Sequence, residues 1–579
     1  MKFKIIFILL LGVILVHYTW TTTYCKWTFD LNANHGGYYN LLKDSLLKGH
    51  LYLPIDPRPE LLALPDPYDP ASNGPYRLHD ASLYNGKYYL YFGITPVITL
   101  FLPYFLLTNH NMPYNLAVLL FSFGGFIFAV GILFSIIRRY FAAAPRWIFL
   151  LSVTVLGFAN FAPYNLRRPD MYEVAISCGL FFLTGAMYFF CSALKNDNPS
   201  MLMLTLGSLF LGLAVGGRPQ IVLSGVILVG LLLKVLKSNS DKKYLWRFFT
   251  CLFVPFGICM LLLGAYNFLR FGNPFDFGHS YQLPALHIKT IQLFKLESIL
   301  PGIYFNLIEF PLVNSVFPFV YSYSKLPPSI QPTIPYYFER TVGALSVVPF
   351  ILLILLGPFF YWLQMFLNCK TKCVKNKALL YSLYGTIAFF VVLYVSTFML
   401  QIFQGIRFID ELRGFFNKLI EVVPFYVIFA FVFLVSIFLW LYKSKSSCSE
   451  SCRNSNKFPL TEVLIIFVPG MLNLFSLALI PMSTMRYLQD FVTPFILAAS
   501  ILWVYFDQLL IKKSLFRILL TSLASIFALV SISTGLAFSI MGCYEGLKAM
   551  NPHEFSELTF KFRWVAEMIH FLAPLWGQS

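Results

Sequence analysis

Charge is what this sequence has least of. Only 12% of its 579 residues are Asp, Glu, Lys or Arg, about half the ~25% of an ordinary soluble domain, so water cannot be the solvent for most of its surface. Acids are the scarcer sign, 26 against 43 bases, and the nine histidines include no pair at the i, i+4 spacing of a helical zinc motif. His35, His50 and His79 beside Asp80 read as polar loop residues. Asp66-Pro67-Tyr68-Asp69-Pro70 lacks the alternating oxygen ligands of a calcium loop, so no metal or other cofactor is expected. Low-complexity tracts and short-period repeats are absent. Lys2, Lys4 and the apolar run Ile5 to Val16 have the build of a signal peptide without the small-x-small site that would release it. An uncleaved anchor with its N-terminus inside is expected. Of ten cysteines, Cys369/Cys373 and Cys448/Cys452 form two C-x-x-x-C pairs in lysine-rich loops, where reduced thiols are the default and the spacing is weak for zinc.

What the chain has instead is 58% hydrophobic residues, with 63 Phe and 34 Tyr. Apolar runs near the ~20 residues of a bilayer-spanning helix recur at 4–24, 88–108, 114–137, 146–163, 172–193, 201–217, 219–237, 248–268, 341–366, 378–403, 422–442, 461–480, 487–508 and 516–540. The expected fold is all-α, a polytopic transmembrane bundle of about thirteen spans with extracytoplasmic loops. The net charge of +17 sits mainly in short loops between runs, the positive-inside pattern of a protein among anionic lipids, not the footprint of nucleic acid.

Basic loops at 234–247, 370–377, 443–457 and 512–517 belong inside, which puts 270–340, 404–421, the Arg486 turn and the tail from Gly542 outside. The first half resists this count. With Arg138/Arg139 inside and the first loop outside, both ends of 88–108 must lie outside, so this segment, with Gly93, Pro96 and Pro103, is re-entrant or a crossing is miscounted nearby. The organisation expected is an anchor (1–24), a first outward loop with a juxtamembrane helix (25–87), an N-terminal membrane module (88–269), a second outward loop (270–340), a C-terminal membrane module (341–540) and an outward tail (541–579).

Acid collects in the first loop. Asp30, Asp44, Asp56, Glu60, Asp66, Asp69 and Asp80 are seven of the 26 carboxylates. Tyr38, Leu41, Leu42, Ser45 and Leu46 share a face and predict a helix over 38–48 at the interface, whereas the prolines from Pro54 to Pro75 argue against regular structure. Asp30 follows the first span so closely that its carboxylate belongs near the headgroup plane. It is either a general base for an acceptor bound there or the cap of the segment that follows. Arg168, Arg218, Arg270 and Arg486 lie at outer ends of spans, against the positive-inside bias. They either hold a phosphate, for which Arg is a permanently charged bidentate donor, or pair with acids such as Asp170, Asp276 and Asp490. Asp410/Glu411, between Arg407 and Arg413, read as exposed ion pairs.

Several blocks together carry a resemblance. A single first span with Asp30 after it, Tyr38-Tyr39-x-x-Leu42, and Gly86-Lys87-Tyr-Tyr-Leu-Tyr-Phe-Gly93 resemble the GT-C glycosyltransferase superfamily, in particular its protein mannosyltransferase and aminoarabinose transferase branch. Arg167-Arg168-Pro169-Asp170 is similar to that family's Arg-Pro-Asp turn, and Met485-Arg486-Tyr487 with Pro494 to the opening of a late span. Gly217-Arg218-Pro219 and the stretch from Arg270 to Gly278 resemble blocks of uncharacterised bacterial members. The branch has an acidic pair after the first span, whereas Leu31 follows Asp30 here.

The resemblance implies a multi-pass protein of the bacterial inner membrane that moves a sugar from a polyprenyl-phosphate donor by an inverting displacement at the outer face. It assigns catalysis to Asp30, with Asp170 as a second acid, and substrate contact to Tyr39, Asp80, Lys87, Arg168, Arg218, Arg270 and Arg486. Membrane lipids are the other expected partners. The competing readings are a transporter or flippase of a lipid-linked sugar or other anionic solute, and a non-catalytic assembly factor. A transporter commonly places its site near the midplane on broken helices in repeated halves. No repeat between halves is visible here.

Overall fold

A computed structural model describes residues 2–29, 37–195, 198–237, 241–286, 291, 293–313, 315–322, 324, 326–327, 330–368, 458–510, 514–542 and 546–572. Asp30, both cysteine pairs, Asp410/Glu411 and the apolar runs at 378–403 and 422–442 lie outside the described residues. Within them the chain is a polytopic helical membrane protein. Nine helices among the described residues are long and apolar enough to cross a bilayer.

The helices that organise the bundle are α1 (Lys2–Thr22), α2 (Tyr38–Leu47), α3 (Tyr114–Tyr140), α4 (Arg146–Phe158), α5 (Met171–Ala193), α6 (Met201–Val215), α7 (Val226–Leu236), α8 (Lys242–Phe271), α9 (Leu353–Asn368), α10 (Leu460–Ala478), α11 (Gln489–Leu509) and α12 (Ser514–Met541). Two helices of the tail follow, α13 (Pro552–Lys561) and α14 (Arg563–Leu572). Helices α5 and α11 are buried almost all round, whereas α1, α8 and α12 carry rows of exposed Ile, Leu and Val, the faces turned to lipid.

Lipid tails are as apolar as leucine, so burial in protein gives these helices little reason to associate, and close packing and internal hydrogen bonds do the work. Gly125 lets α3 approach the backbone of Phe181 on α5, and Ser122 meets Ser177 across the same interface at 3.2 Å. Where Pro255 interrupts α8, Ser208 of α6 steps in, donating to the Leu252 carbonyl (2.7 Å) and accepting from the Phe256 amide (3.0 Å).

Side-chain contacts sort the helix ends into two groups. At one end, Arg146 lies over Phe3, Arg139 pairs with Glu462, and Lys234 bonds Thr461. At the other, Thr22 at the end of α1 donates to the Asn115 carbonyl at the start of α3 (3.1 Å). Hence α1 finishes where α3 begins, and the described residues between them stay at one end of the bundle. The segment 88–108 does not cross. It starts in a hairpin and ends in a 12-residue helical piece, Val97–Thr108, about 18 Å long at 1.5 Å per residue against the ~30 Å of a hydrocarbon core. Helix α2 packs on it through Tyr39 against Phe101, while Lys43 bonds Asn111 at 2.6 Å. Both ends of the segment thus lie at the same end of the bundle.

The first loop is more regular than its prolines suggest. Pro59 and Pro70 each open a single-turn helix at the position where a missing N–H costs nothing. Strands β1 (Ser82–Tyr84) and β2 (Lys87–Tyr89) form a hairpin whose turn residues, Asn85 (φ 48°) and Gly86 (φ 68°), are both left-handed. The second loop is pinned to it. Leu283 exchanges backbone hydrogen bonds with the Asp80–Ala81 pair, at 3.1 and 3.0 Å, and Ser82 donates to the Gly278 carbonyl.

Candidate functional site

The site grows from the start of α5. Asp170 is its N-cap: the carboxylate accepts from the Met171 amide (2.7 Å), while Glu173 Oε2 accepts from the Asp170 amide (3.2 Å), a complete capping box. The same box fixes two further side chains. Glu173 is buried, and its other oxygen stands 3.9 Å from Arg486 Nη1. Tyr172 points the other way and donates its hydroxyl to Asp80 Oδ2.

Tyr172 is the hub. The Arg486 guanidinium lies 4.5 Å from its ring centre and that of Arg168 5.6 Å, so one ring touches Asp80 through its edge and two arginines near its face. Arg486 also pairs with Glu339 at 3.1 Å. Glu339 reaches it because Tyr337–Phe338 pairs in parallel with Met482–Ser483, and Thr484 bonds its second oxygen at 2.7 Å. One turn further on, Asp490 receives Arg218 at 2.5 Å and Gln220 at 3.3 Å, and Arg218 lies over Tyr487 at 5.2 Å. Arg218 arrives there because Gly216 caps α6 and Pro219 forces its predecessor into extended backbone (φ −139°). Half-buried Tyr91 lies within electrostatic reach of Asp80, Arg218 and Arg486 and flanks the group from the hairpin side.

Asp80 is held in a left-handed conformation (φ 59°) and is nearly buried. Burial raises its carboxyl above the ordinary 3.8, opposed by His79, Arg486 and Arg77. A carboxylate so placed can exchange a proton at higher pH than an exposed one.

Of the residues expected from the sequence, Asp80, Asp170, Arg168, Arg218 and Arg486 come together. Three do not join them. Lys87 pairs with Asp56 on the hairpin's outer side (2.9 Å), and Tyr39 is buried between Phe101 and Tyr114. Arg270 sits between Tyr266 and Phe271 and donates to the Leu90 carbonyl (2.6 Å) and Asn267 (2.7 Å), so it braces the end of β2. Its block is turn chemistry: Gly272 (φ 72°) caps α8, and Asn273 and Asp276 each accept from the amide two residues on. The pairing expected of the arginines is present for Arg168 with Asp170 (3.7 Å) and Arg218 with Asp490.

Glu173, Glu339 and Tyr172 are additions from the structure. For Glu173 a signal existed, an acid three residues after Asp170 at the head of an apolar run. Among the described residues, no group of three His, Cys, Asp or Glu could hold a metal ion. A cavity of about 290 Å³ between the second loop and the tail, lined by Phe317, Tyr321, Met541, Lys548 and Phe555 among others, shares no residue with the cluster.

Fold and composition thus define a polytopic helical membrane protein with a charged cluster at one end of its bundle. No family model and no curated protein matches the chain. Among solved structures it is similar to the apo crystal structure of the oligosaccharyltransferase of Archaeoglobus fulgidus, at 12% identity and a TM-score of 0.43, covering 93% of this chain and 56% of that one. The archaeal oligosaccharyltransferase AglB from the same organism, in complex with an inhibitory peptide and a dolichol-phosphate, is similar at 13% identity and a TM-score of 0.38, with the same coverage. The chain thus spans little more than half the length of these proteins.

Proposed function

We propose that this chain is an integral membrane glycosyltransferase of GT-C type that moves a sugar from a polyprenyl-phosphate-linked donor to a lipid, glycan or protein acceptor, at the outer face of a bacterial inner membrane. The observation that carries this reading is the meeting of Arg168, Arg218 and Arg486 with Asp80 at the end of the bundle where the first loop lies. As the bond from the sugar's anomeric carbon to the donor phosphate breaks, negative charge accumulates on the phosphate. Preorganised guanidinium groups in a water-poor site are suited to receive it. The acceptor must lose a proton in the same step, which is the role assigned to Asp30, with Asp170 and Asp80 as further carboxylates of the site.

The reading is tested in two ways. Lipids extracted from a strain lacking the chain should accumulate a polyprenyl-linked sugar that wild-type membranes consume. The variant Asp30→Asn, purified and folded, should bind that lipid and fail to transfer from it. Full transfer by Asp30→Asn would remove Asp30 as the base, and an unchanged lipid profile in the deletion strain would remove the transferase reading.

A further inference from the structure

The tail after α12 carries apolar side chains that the bundle does not cover. Trp564 and Met568, 60% and 48% exposed, stand at i and i+4 on one face of α14, and Phe560, 75% exposed, stands in the last turn of α13. Ion pairs flank this stripe, Lys561 with Glu557 (2.9 Å) and Arg563 with Glu567 (2.8 Å). Phe555, by contrast, turns inward against Phe317 of the second loop at 5.4 Å. A short helix pair with one bare apolar stripe and charged flanks is the pattern of a segment lying along a membrane surface.

Its depth is fixed by a contact. Asn551, the N-cap of α13, donates to the carbonyl of Tyr24 at 2.9 Å. Tyr24 stands two residues beyond the end of α1, whose exposed Ile5, Ile8, Val13 and Val16 make it a lipid-facing anchor. The start of α13 therefore lies where α1 leaves the hydrocarbon. The turn of helix before the tail, Gly546–Met550, packs against α12, another lipid-facing helix with Leu515, Ile518, Leu529 and Leu536 exposed.

We propose that α13 and α14 lie in the lipid–water interface at the first-loop end of the bundle, with Phe560, Trp564 and Met568 set into the acyl boundary. The partner is the bilayer itself. Because Asn551 holds the Tyr24 carbonyl, the interfacial helices are tied to the root of the first loop, and the tail is a surface anchor beside the charged cluster.

The test uses the full-length protein in bilayer nanodiscs of phosphatidylethanolamine and phosphatidylglycerol. A photoreactive p-benzoylphenylalanine replaces Trp564, Met568 or, as a control two residues before Met568 and on the far side of the helix, Ala566. After irradiation, mass spectrometry should find lipid adducts at positions 564 and 568 several-fold above those at 566. Lipid yields equal at the three positions, or products at 564 and 568 that join two copies of the chain or a protein partner, would overturn the proposal. A loss of folding in one variant leaves the other to decide. The readout needs no sugar donor, so its failure is separate from failure of the transferase reading.

Discussion

Asp170 combines two tasks that a pair of substitutions separates. As N-cap it contributes about 1 kcal/mol, and as an acid beside Arg168 it faces the cluster. Asparagine caps a helix as well as aspartate does but carries no charge. Asp170→Asn should therefore melt close to wild type in detergent while losing transfer, and Asp170→Ala should lose both. Equal activity in wild type and Asp170→Asn would reduce Asp170 to a cap. At Asp80 the sign of the pH dependence follows from burial. The folded state holds this proton more tightly than the unfolded chain, so the neutral carboxyl's stabilisation is complete below the ordinary 3.8 and is lost as pH rises through the raised value. Asp80→Asn should flatten that fall when melting midpoints are followed from acid to neutral pH. A variant whose midpoint declines as steeply as wild type would place the titration elsewhere.

At the scale of elements, the seating of the segment after the hairpin on the end of α6 depends on an approach that only glycine permits. A Cβ on Gly93 would stand 1.8 Å from the Gly216 carbonyl oxygen, whereas one on Gly230 in α7 would meet nothing within 4 Å. Gly93→Ala should cost about 1–3 kcal/mol or more, as overpacking does, and Gly230→Ala should be neutral or stabilising. Thermal melts of both variants decide this, and a Gly93→Ala protein as stable as wild type would contradict the contact. The helices themselves were legible, because a membrane span declares itself in composition and length. Helix α2 was legible from its periodicity. The hairpin was written in Asn85-Gly86, the strongest short hairpin signal, but was masked by the apolar run it opens. No local pattern could reveal that Glu339 meets Arg486, since their contact rests on a parallel pairing between segments 145 residues apart in sequence. The arginines were visible because they defy the charge bias of their ends, whereas which partner each would take was a matter of tertiary packing.

For the whole molecule, the arrangement of ends makes a direct prediction. The described residues between 23 and 113 all belong to one end of the bundle, so cysteines placed at Asn85 and Asn109 in a cysteine-depleted background should react with an impermeant thiol reagent from the same face. A cysteine at Arg138 should react only from the other. Labelling of Asn85 and Asn109 from opposite faces would mean that Val97–Thr108 crosses after all. The parallel pairing of Tyr337–Phe338 with Met482–Ser483 bears on biosynthesis. Chains are made from the N-terminus, and the segment that brings Arg486 and Asp490 to Glu173, Glu339 and Arg218 is made after all three of those partners. A nascent chain with its first loop already exposed still lacks the centre of the cluster. The cluster is thus incomplete through much of the chain's insertion, and it closes only when this segment arrives.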